Sequence, residues 1–256
     1  MMNRRNWQPW AGSPANYKLS IAELVQNGTM DAEIAGTLWA AVDEKLSFLT
    51  VAVPQNAGKT TVASAVLALR PPEVELHFVL GKSDELQELA RDARGGYIVV
   101  GEFSHAPMPS YIWGDAVRDV FGTLRAGYSL QTSLHAPGIE AAVDVITMQN
   151  GVPDADASAL NLIAYIEVFR TSDGGIARRV TEVYELDRIE KGRAVGRTLF
   201  RWRRETDTFD KLSEPQNFAQ DREALTQRRA LIQALVNANR TSIDDVAEAV
   251  GAFRAA

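Results

Sequence analysis

One segment of this chain constrains its fold more than any other: an apolar run that leads through a short loop into an amphipathic run. It reads FLTVAVPQNAGKTTVASAVLALR and spans residues 48–70. The apolar run has the length of a buried strand, and the run after the loop has the spacing of a helix. A strand that leads directly into a helix is the repeating unit of parallel sheets covered by helices. The segment therefore predicts an α/β fold.

The same alternation continues along the chain. The strand-like runs are SFLTVAV, VELHFVL, YIVVG and SLQTSL, and the helical patterns between them are TVASAVLALR, SDELQELARDA, IWGDAVRDVFGTLRAG and IEAAVDVITM. This order predicts a mostly parallel sheet. From about residue 162 the pattern changes, because LIAYIEVF, ARRVTEVYEL and TLFRWRRE follow one another as strands joined by turns. These runs predict antiparallel strands at one edge of the sheet.

Helical segments are predicted on both sides of this core. Ser20 and Glu23 have the spacing of a capping box before a short helix, and a second helix is expected from about Asp31 to Glu44. RRALIQALVNANR predicts a further helix near the C-terminus. The predicted division of the chain is an irregular N-terminal arm at 1–18, a helical lead-in at 19–45, an α/β core at 46–215 and a C-terminal helical subdomain at 216–256.

Composition excludes several classes of protein. The chain is 46% hydrophobic but holds no uninterrupted apolar run long enough for a membrane helix and no secretory apolar segment at its start, which predicts a cytoplasmic protein. The absence of cysteine excludes disulfides and thiolate metal sites, and three histidines make a multi-histidine metal site a poor hypothesis. The net charge of −6 argues against nucleic acid as a partner.

The loop in the opening segment matches the phosphate-binding pattern G-x-x-x-x-G-K-[ST] except at its first position, where Val53 stands. In such loops the backbone N–H groups face the phosphates, the lysine neutralises them, and the next hydroxyl ligates Mg²⁺. The predicted ATP-binding residues are Pro54, Gln55, Asn56, Ala57, Gly58, Lys59, Thr60 and Thr61, with Thr60 also a metal ligand. The alternative is that GKTT merely opens a buried helix, and the strand and helix around the loop favour the phosphate site.

Val53 bears on the shape of this loop. A β-branched residue is costly where the backbone needs a positive φ, whereas asparagine is among the few residues that tolerate one. Asn56 stands inside the loop. The sequence therefore predicts a reshaped loop rather than a lost one.

A second acidic group is needed at the end of a neighbouring strand, to hold the water shell of Mg²⁺ or to orient the attacking water. YIVVGE supplies Glu102. Taken alone, a glutamate after an apolar run is weak evidence, and a solvated strand end is its usual explanation.

These motifs together resemble the type II/type IV secretion ATPase family, the motors of secretion, conjugation, type IV pilus and archaellum machines. YIVVGEF is similar to that family's glutamate-bearing Walker B strand, and LRAGYSLQTSLHA to its histidine box. The stretches LSIAELVQNGTMDAEIAGTLWAAV, IAYIEVFRTSDGGIARRVTEVYEL and RRALIQALVNANRTSIDDVAEAVGAF resemble the family's helices before the P-loop, its later strand pair and its helical tail. The likeness covers most of residues 19–253 in the expected order.

The resemblance implies a RecA-like P-loop NTPase core with mostly parallel strands, antiparallel edge strands and a small C-terminal helical appendage. It implies an ATP- and Mg²⁺-dependent motor subunit that forms a hexameric ring with MgATP at subunit interfaces, on the cytoplasmic face of a membrane secretion or pilus platform. Glu102 and His135 become the expected catalytic residues, Glu102 also as a metal ligand and His135 as a sensor of the γ-phosphate. Without the family pattern, His135 would be interpreted as a satisfied core histidine.

Several departures from the family support an alternative, a catalytically impaired member that serves as an assembly or regulatory subunit. Gly81 and Lys82 stand where the family carries an acidic box, and Ser104 replaces an arginine after the Walker B glutamate. The family's N-terminal domain is expected to be almost wholly absent. Glu85 is a substitute acid one turn away or a first-turn helix glutamate, and the second interpretation is favoured. A third class, a DNA-translocating relative, would use the basic strand at 201–204.

Overall fold

The computed structural model describes residues 19–171 and 174–255, so the predicted N-terminal arm lies outside the described residues. The helices of the described part are α1 Ile21–Gln26, α2 Ala32–Asp43, α3 Lys59–Leu67, α4 Ser83–Asp92, α5 Asp115–Leu124, α6 Ile139–Asp144, α7 Asp154–Ala157, α8 Arg222–Asn237 and α9 Ile243–Ala255. The strands are β1 Phe48–Ala52, β2 Leu76–Phe78, β3 Gly96–Val99, β4 Glu102–Phe103, β5 Tyr111–Ile112, β6 Tyr128–His135, β7 Leu162–Arg170, β8 Ile176–Glu190, β9 Arg193–Arg203 and β10 Thr208–Lys211.

The strands form one mixed sheet in the order β10-β9-β8-β7-β1-β6-β3-β2, with β4 and β5 attached beside β6. All pairings from β7 through β1, β6 and β3 to β2 are parallel. The pairings of β7 with β8, β8 with β9 and β9 with β10 are antiparallel. The predicted fold class, a mostly parallel sheet with an antiparallel edge and C-terminal helices, is confirmed.

Most of the predicted elements form where the sequence placed them. The capping box at Ser20 and Glu23 is present, and α2 is capped by the side chain of Asp31 and ends before Glu44. Two helical predictions were wrong in detail. The segment that begins at Ile112 is first the end of a short strand. It becomes helical only after Gly114, whose φ of 65° lies outside the right-handed helical region. The segment 139–148 is α-helical only in its first part and continues as a π-helical turn, Val145–Gln149.

Helices cover the sheet on both faces, and each face has its own hydrophobic core. Residues from α1, α2, α3, α8 and α9 share one core, so helices from both ends of the described chain form a single layer with the helix that follows the P-loop. Residues from α5, α6 and α7 form the core of the opposite face. β1 lies between the two layers, and all five of its residues are buried. No helix of the described residues is both long enough and apolar enough to cross a bilayer.

Contact between α2 and α8 is close because of a glycine. A Cβ added to Gly36 would lie 2.5 Å from Cγ of Arg229 and 2.9 Å from its backbone nitrogen. Arg229 is itself buried, donates a 3.0 Å hydrogen bond to the Thr37 hydroxyl, and forms ion pairs with Glu33 and Glu214. The helices from the two ends of the chain are therefore joined by both close packing and buried charge.

The β7–β8 hairpin extends past the end of the central strand. The register of β7 on β1 ends at Tyr165 and Val51, whereas the pairing of β7 with β8 continues to Arg170 and Ile176. A register shift in β8 opposite Tyr165 and Ile166 separates the two parts of the hairpin. The hairpin consequently reaches beyond the edge of the sheet where the P-loop begins.

Candidate functional site

The P-loop joins β1 to α3, and its geometry leaves the start of α3 open. Gly58 is the N-cap residue with a left-handed φ of 94°, and no side chain caps the helix. The N–H groups of the first helical turn have no partners within their own helix and carry the positive end of the helix dipole. Lys59, Thr60 and Thr61 form this turn. The start of α3 therefore has the chemistry of an anion site.

The turn in the loop is made by Asn56. Its φ is 58°, and Val53 is not among the described residues with positive φ. Val53 is 54% exposed, and its carbonyl accepts a 2.8 Å hydrogen bond from Nδ1 of His135. Loss of the first glycine is thus accommodated, because the left-handed position falls on an asparagine and Val53 keeps a conformation that a β-branched residue adopts. Pro54 and Gln55 are exposed between them, and Ala57 is buried.

Lys59, Glu102 and His135 form one cluster beside this loop. Nζ of Lys59 lies 3.2 Å from Oε2 of Glu102, and Nε2 of His135 lies 3.1 Å from Oε1 of the same carboxylate. Nζ of Lys59 also lies 3.2 Å from Nε2 of His135. Lys59 and Glu102 are only 6% and 4% exposed, whereas His135 is partly open to solvent. The hydrogen bond to Val53 places a proton on Nδ1, so Nε2 is the atom that His135 presents to the cluster.

Burial lowers the pKa of the Lys59 ammonium, and the charge and hydrogen bond of Glu102 act in the opposite direction. Desolvation disfavours a charged amine, while a nearby carboxylate favours it. The negative charge of Glu102 therefore favours the charged form of the lysine against the effect of burial. A bound polyphosphate could supply that charge in place of Glu102.

The topology of the sheet explains how residues so distant in sequence meet. Lys59 follows β1, Glu102 opens β4 just after β3, and His135 ends β6. β6 lies between β1 and β3 and is parallel to both. Since parallel strands end at the same edge of a sheet, the three side chains converge where ligands of open α/β sheets bind.

The backbone at Gly81 leaves little room for a side chain. Gly81 has a φ of 74°, and a Cβ there would lie 2.6 Å from Cγ2 of Ile112. The Glu85 carboxylate accepts a 2.9 Å hydrogen bond from the backbone N–H of Leu80, and Glu85 lies in the first turn of α4, as favoured from the sequence. Ser104 accepts a hydrogen bond from the Ala106 N–H. Local packing therefore disfavours a side chain at position 81, while Glu85 and Ser104 each accept a hydrogen bond from nearby backbone.

Sequence reasoning missed one residue at the site, Arg178 of β8. Its Nη2 donates a 3.2 Å hydrogen bond to the carbonyl of Asn56. Its side chain also lies over Gly58, because a Cβ built there would be 3.1 Å from Cδ of Arg178. The sequence contains the arginine but gives no indication of the contact, since that contact depends on how far the hairpin projects.

The basic strand at 201–204 is paired within its own sheet. Arg201 forms an ion pair with Glu182, Arg203 with Asp210 and Arg204 with Glu167. Between them, Trp202 stacks on Phe169 with ring centroids 5.0 Å apart and donates a hydrogen bond to Asp207. Internally compensated arginines make a weak surface for a nucleic acid backbone.

No protein-family model matches the chain. Among curated proteins, it is similar to the uncharacterized protein MJ0900 of Methanocaldococcus jannaschii, with 24% identity over 213 residues, which are 74% of this chain and 38% of that protein.

Three solved structures to which the chain is similar are described by name as ATPases. For the ATPase DotB of Legionella pneumophila the TM-score is 0.39 and the identity 12%, over 54% of this chain and 45% of that one. For DotB of Yersinia pseudotuberculosis the TM-score is 0.43 and the identity 12%, over 86% and 55%. For the VirB11 ATPase of the Brucella suis type IV secretion system, in complex with sulphate, the TM-score is 0.42 and the identity 18%, over 69% and 59%.

The chain spans 38% of the curated relative's length and 45%, 55% and 59% of the three solved chains.

Proposed function

We propose that this chain belongs to the type II/type IV secretion ATPase family and is a motor subunit that binds and hydrolyses MgATP. The observation that carries the proposal is the cluster of Lys59, Glu102 and His135 beside the uncapped start of α3. It combines a phosphate-binding loop, a buried carboxylate and an imidazole at the ligand-binding edge of a parallel sheet. The motif resemblance over residues 19–253 supports the choice of family.

Each residue of the cluster has a distinct role in this proposal. Lys59 neutralises the phosphates together with the N–H groups of residues 58–61. Glu102 is the acceptor that orients the attacking water, and its burial keeps that interaction out of bulk solvent. His135 is held by the hydrogen bond from Nδ1 to the loop carbonyl of Val53. A shift of Lys59 or Glu102 therefore changes the contacts of Nε2 at the other side of the ring. The histidine thereby couples the loop to the end of β6.

Mg²⁺ would neutralise phosphate charge during phosphoryl transfer, and Thr60 and Glu102 are the residues that would hold it. Both present oxygen atoms, the ligand type that Mg²⁺ prefers. Within the described residues no group of three or more histidine, aspartate or glutamate side chains is placed to hold a metal ion. The ion would consequently need the phosphates of the nucleotide as ligands, which is how Mg²⁺ binds in ATPase sites.

The family resemblance supports a proposed mode of assembly. In it the chain forms a hexameric ring with MgATP at subunit interfaces, on the cytoplasmic side of a membrane secretion or pilus platform. The chain division at 19–45, 46–215 and 216–256 belongs to the same proposal.

A second candidate function is a catalytically impaired subunit with an assembly or regulatory role. The observation that favours it is Gly81, where the positive φ and the position of Ile112, 2.6 Å from where a Cβ would lie, disfavour the acidic side chain that the family carries there. In this case the site would bind nucleotide without turnover, or would not bind it. The two candidate functions therefore differ in the rate of MgATP hydrolysis.

Steady-state MgATP hydrolysis over a range of protein concentrations separates the two, with Lys59→Ala as the matched blank. We expect turnover that rises with concentration and falls at least ~100-fold in Lys59→Ala, as when a group that stabilises transition-state charge is removed. Thermal unfolding of both proteins controls for loss of the fold, because the variant leaves Glu102 without its buried cation. Turnover equal to that of Lys59→Ala would exclude the motor and favour the impaired subunit.

A further inference from the structure

Arg178 is an arginine of the antiparallel edge that lies at the P-loop. Its Nη2 donates to the carbonyl of Asn56, the left-handed residue of the loop. Its aliphatic part lies against Gly58, the N-cap of α3. One side chain therefore contacts both residues whose backbone conformation shapes the loop.

The position of Arg178 follows from the length of the hairpin. Arg178 pairs with Val168, beyond Tyr165, where the pairing of β7 with β1 ends. Val168 and the neighbouring Val180 pack on the core that contains α3, so this face of the hairpin is the one directed toward the P-loop helix. The hairpin thus holds Arg178 over the loop on a regular strand pair.

Most donors of the Arg178 guanidinium remain available. A guanidinium has five N–H donors in a planar fork, and the one hydrogen bond to Asn56 uses a single nitrogen. Within the described residues, Arg178 forms no ion pair with a carboxylate. The next residue, Arg179, forms two hydrogen bonds to the carboxylate of Asp207, at 2.8 and 2.7 Å. Of these two adjacent arginines, Arg178 lies at the loop and has no carboxylate partner among the described residues.

We propose that Arg178 binds the phosphate groups of the nucleotide from within the same subunit while its bond to Asn56 holds the loop. The inference rests on the proposed function and deepens it by adding a phosphate-contacting cation to the site. An arginine fork matches phosphate oxygens geometrically and keeps its charge at any physiological pH. Lys59 is already paired with Glu102, so Arg178 is the cation at the loop whose charge is least compensated. The ligand it favours is a polyphosphate rather than a monophosphate.

The test is binding of MgATP, MgADP and AMP to the full 256-residue chain and to three variants, measured by isothermal titration calorimetry. Arg178→Gln removes both the positive charge and the planar guanidinium. Arg178→Lys keeps the positive charge but removes the guanidinium. Arg188→Gln is the matched control, because Arg188 lies on the same strand, is 58% exposed and pairs with Glu190 away from the loop. Thermal unfolding without nucleotide is measured for every protein.

We expect Arg178→Gln to weaken MgATP and MgADP binding roughly ten- to a hundredfold, the value of one charged hydrogen bond. AMP binding should change less, Arg178→Lys should recover part of the affinity, and Arg188→Gln should match the unchanged protein. Equal binding of MgATP by Arg178→Gln and the unchanged protein would overturn the inference. So would an equal loss for all three nucleotides together with a lower melting temperature, because that pattern indicates a support of the loop only. If the unchanged protein binds no nucleotide, the proposed function fails, and this inference fails with it.

Discussion

Lys59 and Glu102 are buried almost completely, and each compensates the lost hydration of the other. Removing one member of a buried ion pair leaves the second without a partner, which costs roughly 3–5 kcal/mol. Without ligand, the lysine is thus held by the carboxylate that the proposed reaction requires. In the proposed mechanism, phosphates that enter the loop compete with Glu102 for Lys59, and the carboxylate loses its cation when they displace it. This ion pair would then link phosphate binding to the availability of the Glu102 carboxylate for the attacking water.

Substitution of Gly81 and of Lys82 by acidic residues should have opposite effects on stability. Gly81→Glu should destabilise the fold by about 2 kcal/mol or more, because the new side chain meets Ile112 and the backbone has a positive φ. Lys82→Asp should be neutral or stabilising by up to about 1 kcal/mol. Lys82 is the N-cap of α4, has an extended conformation and makes no capping bond, and aspartate is a favoured residue there. Urea unfolding measures both.

Equal stability of the Gly81→Glu and Lys82→Asp proteins would contradict this account of the missing acid. Gain of ATP turnover by Gly81→Glu without loss of stability would also contradict it, since the position would then have room for the carboxylate.

The sequence was sufficient for some residues of the site and insufficient for others. The proximity of Lys59 and Glu102 could be predicted, because each follows an apolar run and parallel strands end at the same edge of a sheet. The left-handed turn at Asn56 was anticipated from the tolerance of asparagine for positive φ. Arg178 could not be found, because its contact depends on the length of a hairpin and on a register shift within it. Gly81 was noted as a departure, but its cause lies in a contact with a residue of another element.

At the scale of elements, periodicity and capping patterns predicted the long helices and the central strands. β5 was missed because it has two residues, and among the described strands it pairs only with the equally short β4. A pairing of this kind is a tertiary event with no sequence pattern of its own. The π-helical turn after α6 likewise leaves no periodic signal, since one extra residue per turn is absorbed within five residues.

Packing of α2 on α8 gives a prediction about elements. Gly36→Ala should destabilise the protein by roughly 1–3 kcal/mol, because the added methyl group would overlap backbone as well as side-chain atoms of Arg229. Gly122→Ala is the matched control. Gly122 is exposed in α5, and an added Cβ there has no atom within 4 Å, so the substitution should stabilise by up to about 1 kcal/mol. Thermal unfolding of both variants tests the pair.

A Gly36→Ala protein as stable as the Gly122→Ala protein would show that α8 can move away from α2 at no cost. In that case the helices from the two ends of the chain would not be rigidly joined.

At the scale of the whole molecule, charge sets the choice of partners. The chain has a net charge of −6, and the arginines of its basic strand are bonded to acidic residues of the same sheet. We expect no saturable binding of single- or double-stranded DNA up to about 100 µM protein at about 50 mM salt, measured by fluorescence anisotropy. Salt-sensitive binding that is lost in Arg201→Gln would instead support a DNA-translocating relative.

A positive control follows from the same ion pairs. The combined variant Glu167→Gln, Glu182→Gln and Asp210→Asn removes the partners of Arg204, Arg201 and Arg203. It should gain weak, salt-sensitive DNA binding, because the three arginines are then uncompensated.

The order of strands in the sheet also bears on how the chain is made. β1 lies at the centre, yet both of its neighbours, β6 and β7, come from the second half of the chain. The hydrogen bond of Ser47 to Asn161 beside this strand joins residues 114 positions apart. Contacts of such separation form slowly, and an unpaired strand edge is prone to association with other chains. During synthesis β1 therefore emerges long before the two strands that flank it, and both of its edges stay unpaired until β6 and β7 have been made.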